Sequence, residues 1–198
     1  MQKNLKHRDA AIEAAQSWMV QAPVFLDTET TGVKADDEVV SIGIVDTNGM
    51  TLLDTLIRPR KSIPMQATSV HGITNRDVAN APTMTETWPK LLRIIAGRLV
   101  VVYNAAFDMR LLFQSVSSPE KEQWTSETVC AMKLYAAFFG EWNSYHGSYK
   151  WQKLGLAAEQ CGIALPDNLH NAVADAALTH RVVEYMTKQP ITRRYEYA

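Results

Sequence analysis

The chain has 198 residues, a formal net charge of −1 and a hydrophobic content of 46%. This length fits one domain with a substantial core, on the usual scale of roughly 100–200 residues per domain. The near-neutral charge excludes a protein that holds duplex DNA by phosphate neutralisation alone. It allows a nucleic-acid enzyme whose positive charge comes from bound metal ions.

Signals for export, membranes and structural metals are missing from the sequence. The N-terminal residues lack the apolar core of a signal peptide, and no apolar run approaches the roughly 20 residues that span a bilayer. Cys130 and Cys161 lie outside any CxxC or zinc-finger spacing. We therefore expect a soluble cytoplasmic protein without membrane contact and with two reduced, partly buried thiols.

The first half of the chain predicts a helix followed by an antiparallel meander. Residues 8–20 are alanine-rich and helical in pattern, and Pro23 ends this helix. Three β-rich runs follow, with the hairpin turn signal Asn48-Gly49 between the last two. Short connections between these runs indicate antiparallel pairing. The three strands are predicted at residues 24–28, 38–45 and 51–57.

The second half alternates a strand with helices. The apolar run 99–103 predicts a central strand covered on both faces, and the polar stretch 117–127 predicts a loop. Strands first and strand–helix alternation afterwards predict a mixed α/β sheet with helices on its faces. The helical spacing of apolar residues predicts helices at 84–96, 106–115, 129–139, 152–161 and 171–187.

Asp27 and Glu29 are the first candidate ligands. On an extended strand, residues i and i+2 face the same side, so these two carboxylates repel each other unless a cation lies between them. Phe25 and Leu26 lead into the pair from a buried strand, and Gly32 turns the chain soon afterwards. This segment alone fits a ligand site and a solvated strand edge equally well.

Three further candidates lie at the starts of predicted helices. Asp108 falls in a first helical turn, where compensation of the helix dipole is the simpler explanation of an acid. His170 precedes the last helix, where a lone histidine is usually a cap or a solvated residue. Asp175 lies on that helix among alanines, where an unpaired carboxylate would cost several kcal/mol, and this favours a ligand role.

Taken in order, these segments resemble the DEDD superfamily of 3′→5′ exonucleases, in its DnaQ-like (DEDDh) branch with a histidine in the third motif. FLDTETTG (25–32), NAAFD (104–108) and HNAVADA (170–176) resemble its three motifs, and VHGIT (70–74) resembles a segment between the first two. The ordered set is far more specific than any one motif. The resemblance covers residues 22–187 and implies a ribonuclease H-like fold, with an antiparallel meander plus parallel strands flanked by α-helices.

The resemblance also implies an activity. It assigns two divalent cations, Mg²⁺ or Mn²⁺, to Asp27, Glu29, Asp108 and Asp175, and oxygen ligands suit these ions. It assigns His170 to the general base that takes a proton from the attacking water. The expected reaction releases nucleoside 5′-monophosphates from nucleic-acid 3′ ends, with single-stranded DNA as the favoured substrate.

Two alternatives to that activity stay open. One is an exoribonuclease on small or structured RNA, because the motifs do not reveal contacts to the 2′-OH. The other is a proofreading or nucleic-acid-binding subunit of a polymerase complex. An N-terminal helical extension (1–21) and a C-terminal tail (189–198) flank the expected exonuclease domain (22–188). A polymerase or homodimer contact would fall on the helix at 8–20 or on the tail ITRRYEYA (191–198), although ordinary trimming of the fold is the simpler interpretation.

The resemblance further assigns residues to the terminal nucleotide, namely Thr30, Val33, His71, Asn104 and Phe107. Core packing is the alternative for Val33 and Phe107, and a structural loop histidine is the alternative for His71. Ser41 stands where many members of that superfamily carry a glutamate in the second strand, which leaves the contribution of this strand to the site open.

The stretch 138–151 is rich in aromatic residues among glycines and serines. Aromatic rings on a flexible segment suit stacking on unpaired bases, and a local hydrophobic core is the alternative. The local core is favoured for Phe138 and Phe139. A substrate or partner contact is favoured for Tyr145, His146 and Tyr149.

Overall fold

A mixed β-sheet forms the centre of the fold in the computed structural model, which describes residues 2–167 and 169–192. Its strands are β1 (Val24–Thr30), β2 (Val39–Val45), β3 (Thr51–Leu56), β4 (Val100–Val102) and β5 (Thr128–Cys130). Their order across the sheet is β3-β2-β1-β4-β5. β1, β2 and β3 pair antiparallel, whereas β1, β4 and β5 pair in parallel. The predicted fold class, a meander plus parallel strands, is confirmed.

Helices cover both faces of this sheet. They are α1 (Gln2–Val20), α2 (Met65–His71), α3 (Met84–Ile95), α4 (Ala105–Gln114), α5 (Ser118–Lys121), α6 (Ala131–Phe139), α7 (Leu154–Gln160) and α8 (Ala172–Thr187). A separate hairpin consists of β6 (Trp142–Asn143) and β7 (Ser148–Tyr149). Within the described residues, no helix has the length and apolar character that crossing a membrane requires.

Side chains of the central strands alternate between two apolar cores, one on each face of the sheet. Leu26 of β1 and Val102 of β4 pack against α3 and α4. Phe25 of β1 and Val101 of β4 pack on the other face, against α1, α6 and α8. Because successive side chains point to opposite faces, this alternation decides on which face of the sheet each side chain of the first motif (25–32) lies.

The N-terminal helix α1 packs against α6 and α8. Its Ile12 is fully buried in the core on that face. The Asp9 carboxylate accepts a hydrogen bond from the Thr192 backbone N–H at 3.0 Å, and Arg8 donates one to the Pro190 carbonyl at 3.1 Å. The chain after α8 therefore returns to α1. Residues 193–198 of the expected C-terminal tail lie outside the described residues.

Several elements differ from the predictions made on local pattern, among them the helix predicted at 8–20, which begins at Gln2. The loop predicted at 117–127 contains the short α5, and the helix predicted from 129 begins at Ala131, because β5 occupies Thr128–Cys130. β5 is a half-buried edge strand of 3 residues, too short for a periodic pattern. α2 follows Pro64 and has no buried residue, so it lacks the apolar stripe that marks a surface helix.

Both cysteines are free thiols, as the sequence led us to expect. Cys161 is buried, and Cys130 is half-buried. The Cys130 thiol lies 3.3 Å from the Tyr103 carbonyl oxygen, and the Cys161 thiol lies 3.6 Å from the Tyr135 hydroxyl. Burial raises the pKa of the Cys161 thiol, which favours its protonated, unreactive form.

Candidate active site

The carboxylates of Asp27, Glu29 and Asp175 meet at the end of β1. One oxygen from each lies within 4.8 Å of the other two. Glu29 and Asp175 are 8% and 9% exposed, and Asp27 is partly exposed. The Oδ1 atom of Asp175 is buried without a hydrogen-bond partner. A buried oxygen without a partner, beside two further carboxylates, fits a site that holds a cation.

Burial raises the pKa of all three carboxyls, and repulsion between the acids adds to the rise for Asp27 and Glu29. Burial is the largest cause for Glu29, whose pKa rises to about 8, and the charges of Asp175 and Asp108 add to it. Burial likewise raises the pKa of Asp27 well above its usual range, and the neighbouring acids raise it further. Burial also raises the pKa of Asp175. Negative charge is therefore unfavourable here unless a cation compensates it.

Asp108 approaches the cluster from the other side of the sheet. It lies in the first turn of α4, is 4% exposed, and accepts a hydrogen bond at 2.8 Å from the Thr28 hydroxyl. Thr28 faces α4 because it alternates with Asp27 and Glu29 along β1. Burial raises the pKa of Asp108 to about 6, and the Thr28 hydrogen bond opposes that rise. Asp108 thus flanks the group of three carboxylates and does not belong to it.

Gly43 of β2 lets α8 bring Asp175 to the end of β1. Gly43 is the register partner of Asp27. A Cβ atom at this position would lie 2.2 Å from the Ala172 carbonyl carbon and 2.3 Å from the Val173 amide nitrogen. Real Cβ atoms essentially never approach backbone so closely, so the first turn of α8 rests directly on the backbone of β2. Asp175 follows within the same turn of α8.

Ser41 is the register partner of Glu29 and faces α8, as Gly43 does. It is 4% exposed, so its side chain lies within the packed layer between β2 and α8. A serine at this position adds no carboxylate to the cluster. The small residues of β2 therefore allow α8 to pack closely, and β2 adds no carboxylate at the position of Ser41.

His170 lies directly before α8, with its side chain exposed. Its backbone φ of 64° is left-handed, a conformation that costs free energy for a residue other than glycine. The next residue, Asn171, caps α8 by accepting a hydrogen bond from the Ala174 N–H at 3.1 Å. Burial raises the pKa of Asp175, and the imidazole and backbone amide of His170 oppose that rise. The turn therefore holds the imidazole close to Asp175 while leaving it open to solvent.

A cavity of about 680 Å³ opens beside the acidic cluster. Small-molecule sites commonly span roughly 300–1,000 Å³. Glu29 lines this cavity, together with Thr30, Val33, His71 and Phe107. Asn104 is absent from the lining residues and lies at the N-cap of α4. The structure thus brings together four of the five residues that the resemblance assigns to a terminal nucleotide.

The loop that carries Val33 is fixed against α4. Arg110 donates hydrogen bonds to the Val33 and Lys34 carbonyls at 3.1 and 3.2 Å. Across the loop, the Asp37 carboxylate accepts a hydrogen bond from the Lys34 N–H at 2.7 Å. The Val33 side chain remains 71% exposed, so core packing does not account for it. Phe107 differs, because it is partly buried and packs against the core near α4.

His71 forms part of the cavity wall and has both ring nitrogens engaged. Its Nδ1 accepts a hydrogen bond from the Ile73 N–H at 3.0 Å, and its Nε2 lies 3.2 Å from the Thr30 carbonyl oxygen. An N–H at Nε2 satisfies both contacts with a neutral ring. Burial lowers the pKa of His71, which favours the same neutral form. His71 is therefore both a structural histidine and a lining residue.

Two parts of the site were not predicted from the sequence motifs. Thr28 bonds Asp108, and its position between Asp27 and Glu29 on the opposite strand face was the available signal. α2 supplies a wall of the cavity through Ala67 and the half-exposed Val70. Its only local signal was Pro64 directly before the helix, because the residues of α2 show no apolar period.

Comparison with known proteins places the chain among exonucleases. The exonuclease family model RNase_T matches residues 24–183. The uncharacterised exonuclease CP81 of Escherichia phage 186 is 35% identical over 182 residues, which cover 89% of this chain and 93% of CP81. The PolC-type DNA polymerase III of Clostridium perfringens is 30% identical over 173 residues, which cover 84% of this chain and 11% of that protein.

A solved structure gives a similar result. Exonuclease X in complex with 5′-overhanging duplex DNA has a TM-score of 0.62 and 25% sequence identity to this chain. The match covers 82% of this chain and 90% of exonuclease X. The similarity therefore extends over nearly the whole of both proteins.

The raised carboxyl pKa values predict that the metal-free protein loses stability as the pH rises. A carboxyl with a raised pKa binds more protons in the folded state, so its stabilising effect is lost as the pH rises through the folded pKa. For Glu29 this window runs from 4.5 to about 8. In EDTA, the unfolding temperature should fall across that window, on the order of 5–10 °C. Mg²⁺ should remove most of the fall.

Glu29→Gln tests the cause of that fall, because glutamine cannot ionise. The substitution should raise the unfolding temperature in EDTA at pH 8. Glu159→Gln is the matched control, since Glu159 is an exposed glutamate on α7 and its loss should change the unfolding temperature by about 1 °C or less. Equal unfolding temperatures for wild type and Glu29→Gln across the whole pH window would contradict the assignment.

Gly43→Ala should displace α8 from β2, because the added methyl group overlaps backbone atoms that cannot rotate away. We expect Mn²⁺ affinity to fall by roughly 10-fold or more, measured by calorimetry without nucleic acid. Gly155→Ala is the matched control, because a Cβ at Gly155 meets nothing within 4 Å. If a folded Gly43→Ala protein binds Mn²⁺ as tightly as wild type, the contact does not position Asp175.

Proposed function

Because the chain belongs to the RNase_T exonuclease family, in the DnaQ-like group of DEDD nucleases, we propose that it is a 3′→5′ exonuclease that releases nucleoside 5′-monophosphates. One observation carries the proposal: Asp27, Glu29 and Asp175 place oxygens within 4.8 Å of one another beside a cavity of about 680 Å³. The order of the three motifs supports the polarity. Single-stranded DNA is the favoured substrate, the cytoplasm is the proposed compartment, and an exoribonuclease is the alternative.

Two divalent cations, Mg²⁺ or Mn²⁺, are the proposed cofactors. The donor set consists of carboxylate oxygens, which favour these ions over zinc. Asp27, Glu29 and Asp175 would bind them directly, and Asp108 would serve the second ion through water from the α4 side. When bound, the cations would neutralise charge at the scissile phosphate and make the attacking water more acidic.

His170 is the proposed general base. Its exposed imidazole, close to Asp175, would accept the proton that the attacking water loses as its oxygen bonds to phosphorus. The bond between phosphorus and the 3′ oxygen of the preceding nucleotide would break, and that oxygen would take a proton from solvent. The negative charge of Asp175 would favour the imidazolium form of His170.

The cavity beside Glu29 would hold the terminal nucleotide. Val33 is held by Arg110 at its rim, where an exposed apolar side chain would contact the last base. Thr30, His71 and Phe107 would form the wall against the sugar and base. Asn104 lies outside this wall, so we propose that it supports the start of α4 and thereby Asp108.

A second role, as the proofreading exonuclease of a polymerase complex, is favoured by one observation. The chain is 30% identical to part of the PolC-type DNA polymerase III of Clostridium perfringens. That role would use the same active site and the same cations. The two roles differ only in whether a polymerase delivers the 3′ end.

His170→Ala should lower kcat by about 10²–10⁴, the usual effect of losing a general base. Mn²⁺ affinity should stay near that of wild type, because the three clustered carboxylates remain. The variant should also lose the acid limb of the pH–rate profile, since no imidazole is left to protonate. Full turnover by His170→Ala at saturating substrate would refute the base assignment.

A digestion panel tests metal dependence, polarity and sugar preference together. Wild type with Mg²⁺ or Mn²⁺ should shorten 5′-labelled single-stranded DNA into a ladder, and EDTA should abolish the reaction. Asp175→Asn should lower the rate by roughly 10³-fold or more. Asp54→Asn should not, because Asp54 is an exposed acid on β3.

The outcomes of this panel separate the alternatives. Activity that survives EDTA or Asp175→Asn would reject the two-metal assignment. Immediate release of the labelled 5′ nucleotide would reject the polarity. Faster digestion of RNA than of DNA would decide for the exoribonuclease.

A further inference from the structure

The hairpin of β6 and β7 and the residues after it present aromatic side chains to solvent. Tyr145 is 89% exposed and Trp151 is 61% exposed. Such exposure is the opposite of what a local hydrophobic core requires. Phe138, at the end of α6, is buried in the core against α1 and α8. Phe138 therefore belongs to the main core, and the local core favoured for Phe138 and Phe139 is wrong for Phe139, which is 43% exposed. Tyr145 and Trp151 form no such core either.

Hydrogen bonds within the chain hold this hairpin in its conformation. The Asn143 side-chain oxygen accepts hydrogen bonds from the backbone N–H groups of Tyr145 and His146 at 3.0 and 3.1 Å. On the other strand, the Tyr149 hydroxyl lies 2.7 Å from the His7 Nδ1 atom of α1. Tyr149 thus anchors the hairpin to α1, while Tyr145 and His146 point their contacting rings outward at its tip. Rings arranged in advance lose little entropy when a ligand binds.

A cavity of about 410 Å³ lies against the hairpin. It is lined by Asn143, His146, Ser148, Tyr149, Lys150 and Trp151. These residues supply rings, an amide, a hydroxyl and a cation, and none of them is acidic. The size suits a small planar ligand, and the mixture of apolar surface with a few polar groups is typical of ligand sites.

The segment that carries this surface has one more basic than acidic residue, although the chain as a whole carries −1. Residues 141–153 contain two lysines and one glutamate. Glu141 pairs with Lys150 at 3.0 Å, while Lys153 is exposed two residues after Trp151 in the sequence. The exposed Lys6 lies next to His7, which contacts the hairpin. A polyanion with planar groups complements these charges and rings.

We propose that this surface, defined by Tyr145, His146, Lys150 and Trp151, binds unpaired bases of single-stranded nucleic acid outside the active site. The proposal rests on the proposed function, because it concerns the same substrate. The rings would stack on bases of any sequence, and the exposed Lys153 would favour the backbone phosphates. The surface would hold the body of a long strand while its 3′ end is cleaved.

A second copy of the chain is the less favoured occupant. Cores of dimer interfaces are depleted of charged groups, whereas Lys150 and the polar Asn143 and Ser148 line this cavity beside the rings. Stacking on bases also accounts for the exposed planar rings.

Trp151→Leu and Trp151→Phe distinguish stacking from simple apolar contact. Both are measured in an Asp175→Asn background with Mg²⁺, by the anisotropy of a labelled oligothymidylate of about 20 nucleotides. Trp151→Leu should weaken binding roughly 10-fold, and Trp151→Phe should stay close to the parent, because phenylalanine retains a ring. Met50→Ala is the control for loss of an exposed apolar residue, since Met50 is 63% exposed on the β2–β3 turn.

A small substrate separates this proposal from the proposed function. Trp151→Leu in the otherwise wild-type chain should hydrolyse the p-nitrophenyl ester of thymidine 5′-monophosphate as fast as wild type, because that ester occupies only the active site. Failure of wild type to hydrolyse the ester with Mn²⁺ would count against the proposed function alone.

Two results would overturn the hairpin proposal. One is equal oligothymidylate affinity for the parent and Trp151→Leu. The other is a dimer in sedimentation that Trp151→Leu converts to a monomer while the affinity for the oligonucleotide stays unchanged. The second result would show that the surface joins copies of the chain.

Discussion

Three carboxylates share the end of β1 at distances where their charges repel one another, and the rest of the fold must tolerate that repulsion. Burial raises the pKa of Asp27, Glu29 and Asp175, so ionising them without a cation opposes folding. The opposing free energy comes from the two apolar cores, in which Phe25 and Leu26 are fully buried on opposite faces of β1. A cation at the site would convert the same repulsion into binding energy, which couples metal binding to stability.

The geometry of the acids depends on backbone contacts more than on side-chain packing. Gly43 decides how closely α8 approaches β2, because any Cβ there would overlap the first turn of the helix. The left-handed backbone of His170 decides how the chain enters that turn. Thr28 holds Asp108 on the other face of the sheet. The acids thus reach the site from three elements: β1 carries Asp27 and Glu29, α4 carries Asp108 and α8 carries Asp175.

Hydrogen bonds within the chain fix the residues that surround the site. Arg110 fixes the loop at the cavity rim, and His71 uses both ring nitrogens to hold the wall. α1 has a similar part, because it contacts the core through Ile12, the chain end through Asp9 and the hairpin through His7. A nucleic-acid strand bound to such surfaces would lose conformational entropy, while the protein would lose little.

Local patterns along the chain were enough to predict the mixed sheet, most helices and the shared face of Asp27 and Glu29, because these depend on residues a few positions apart. The ordered motifs also identified the family, because each motif is a short run of neighbouring residues. Local patterns could not predict β5 or α2, whose short runs carry no periodic burial. Nor could they show that Asp108 stands beside the cluster, that Asn104 lies outside the cavity or that Gly43 receives α8. Those relations depend on how α4 and α8 pack across the sheet, and packing distances are set by contacts between residues far apart in the chain.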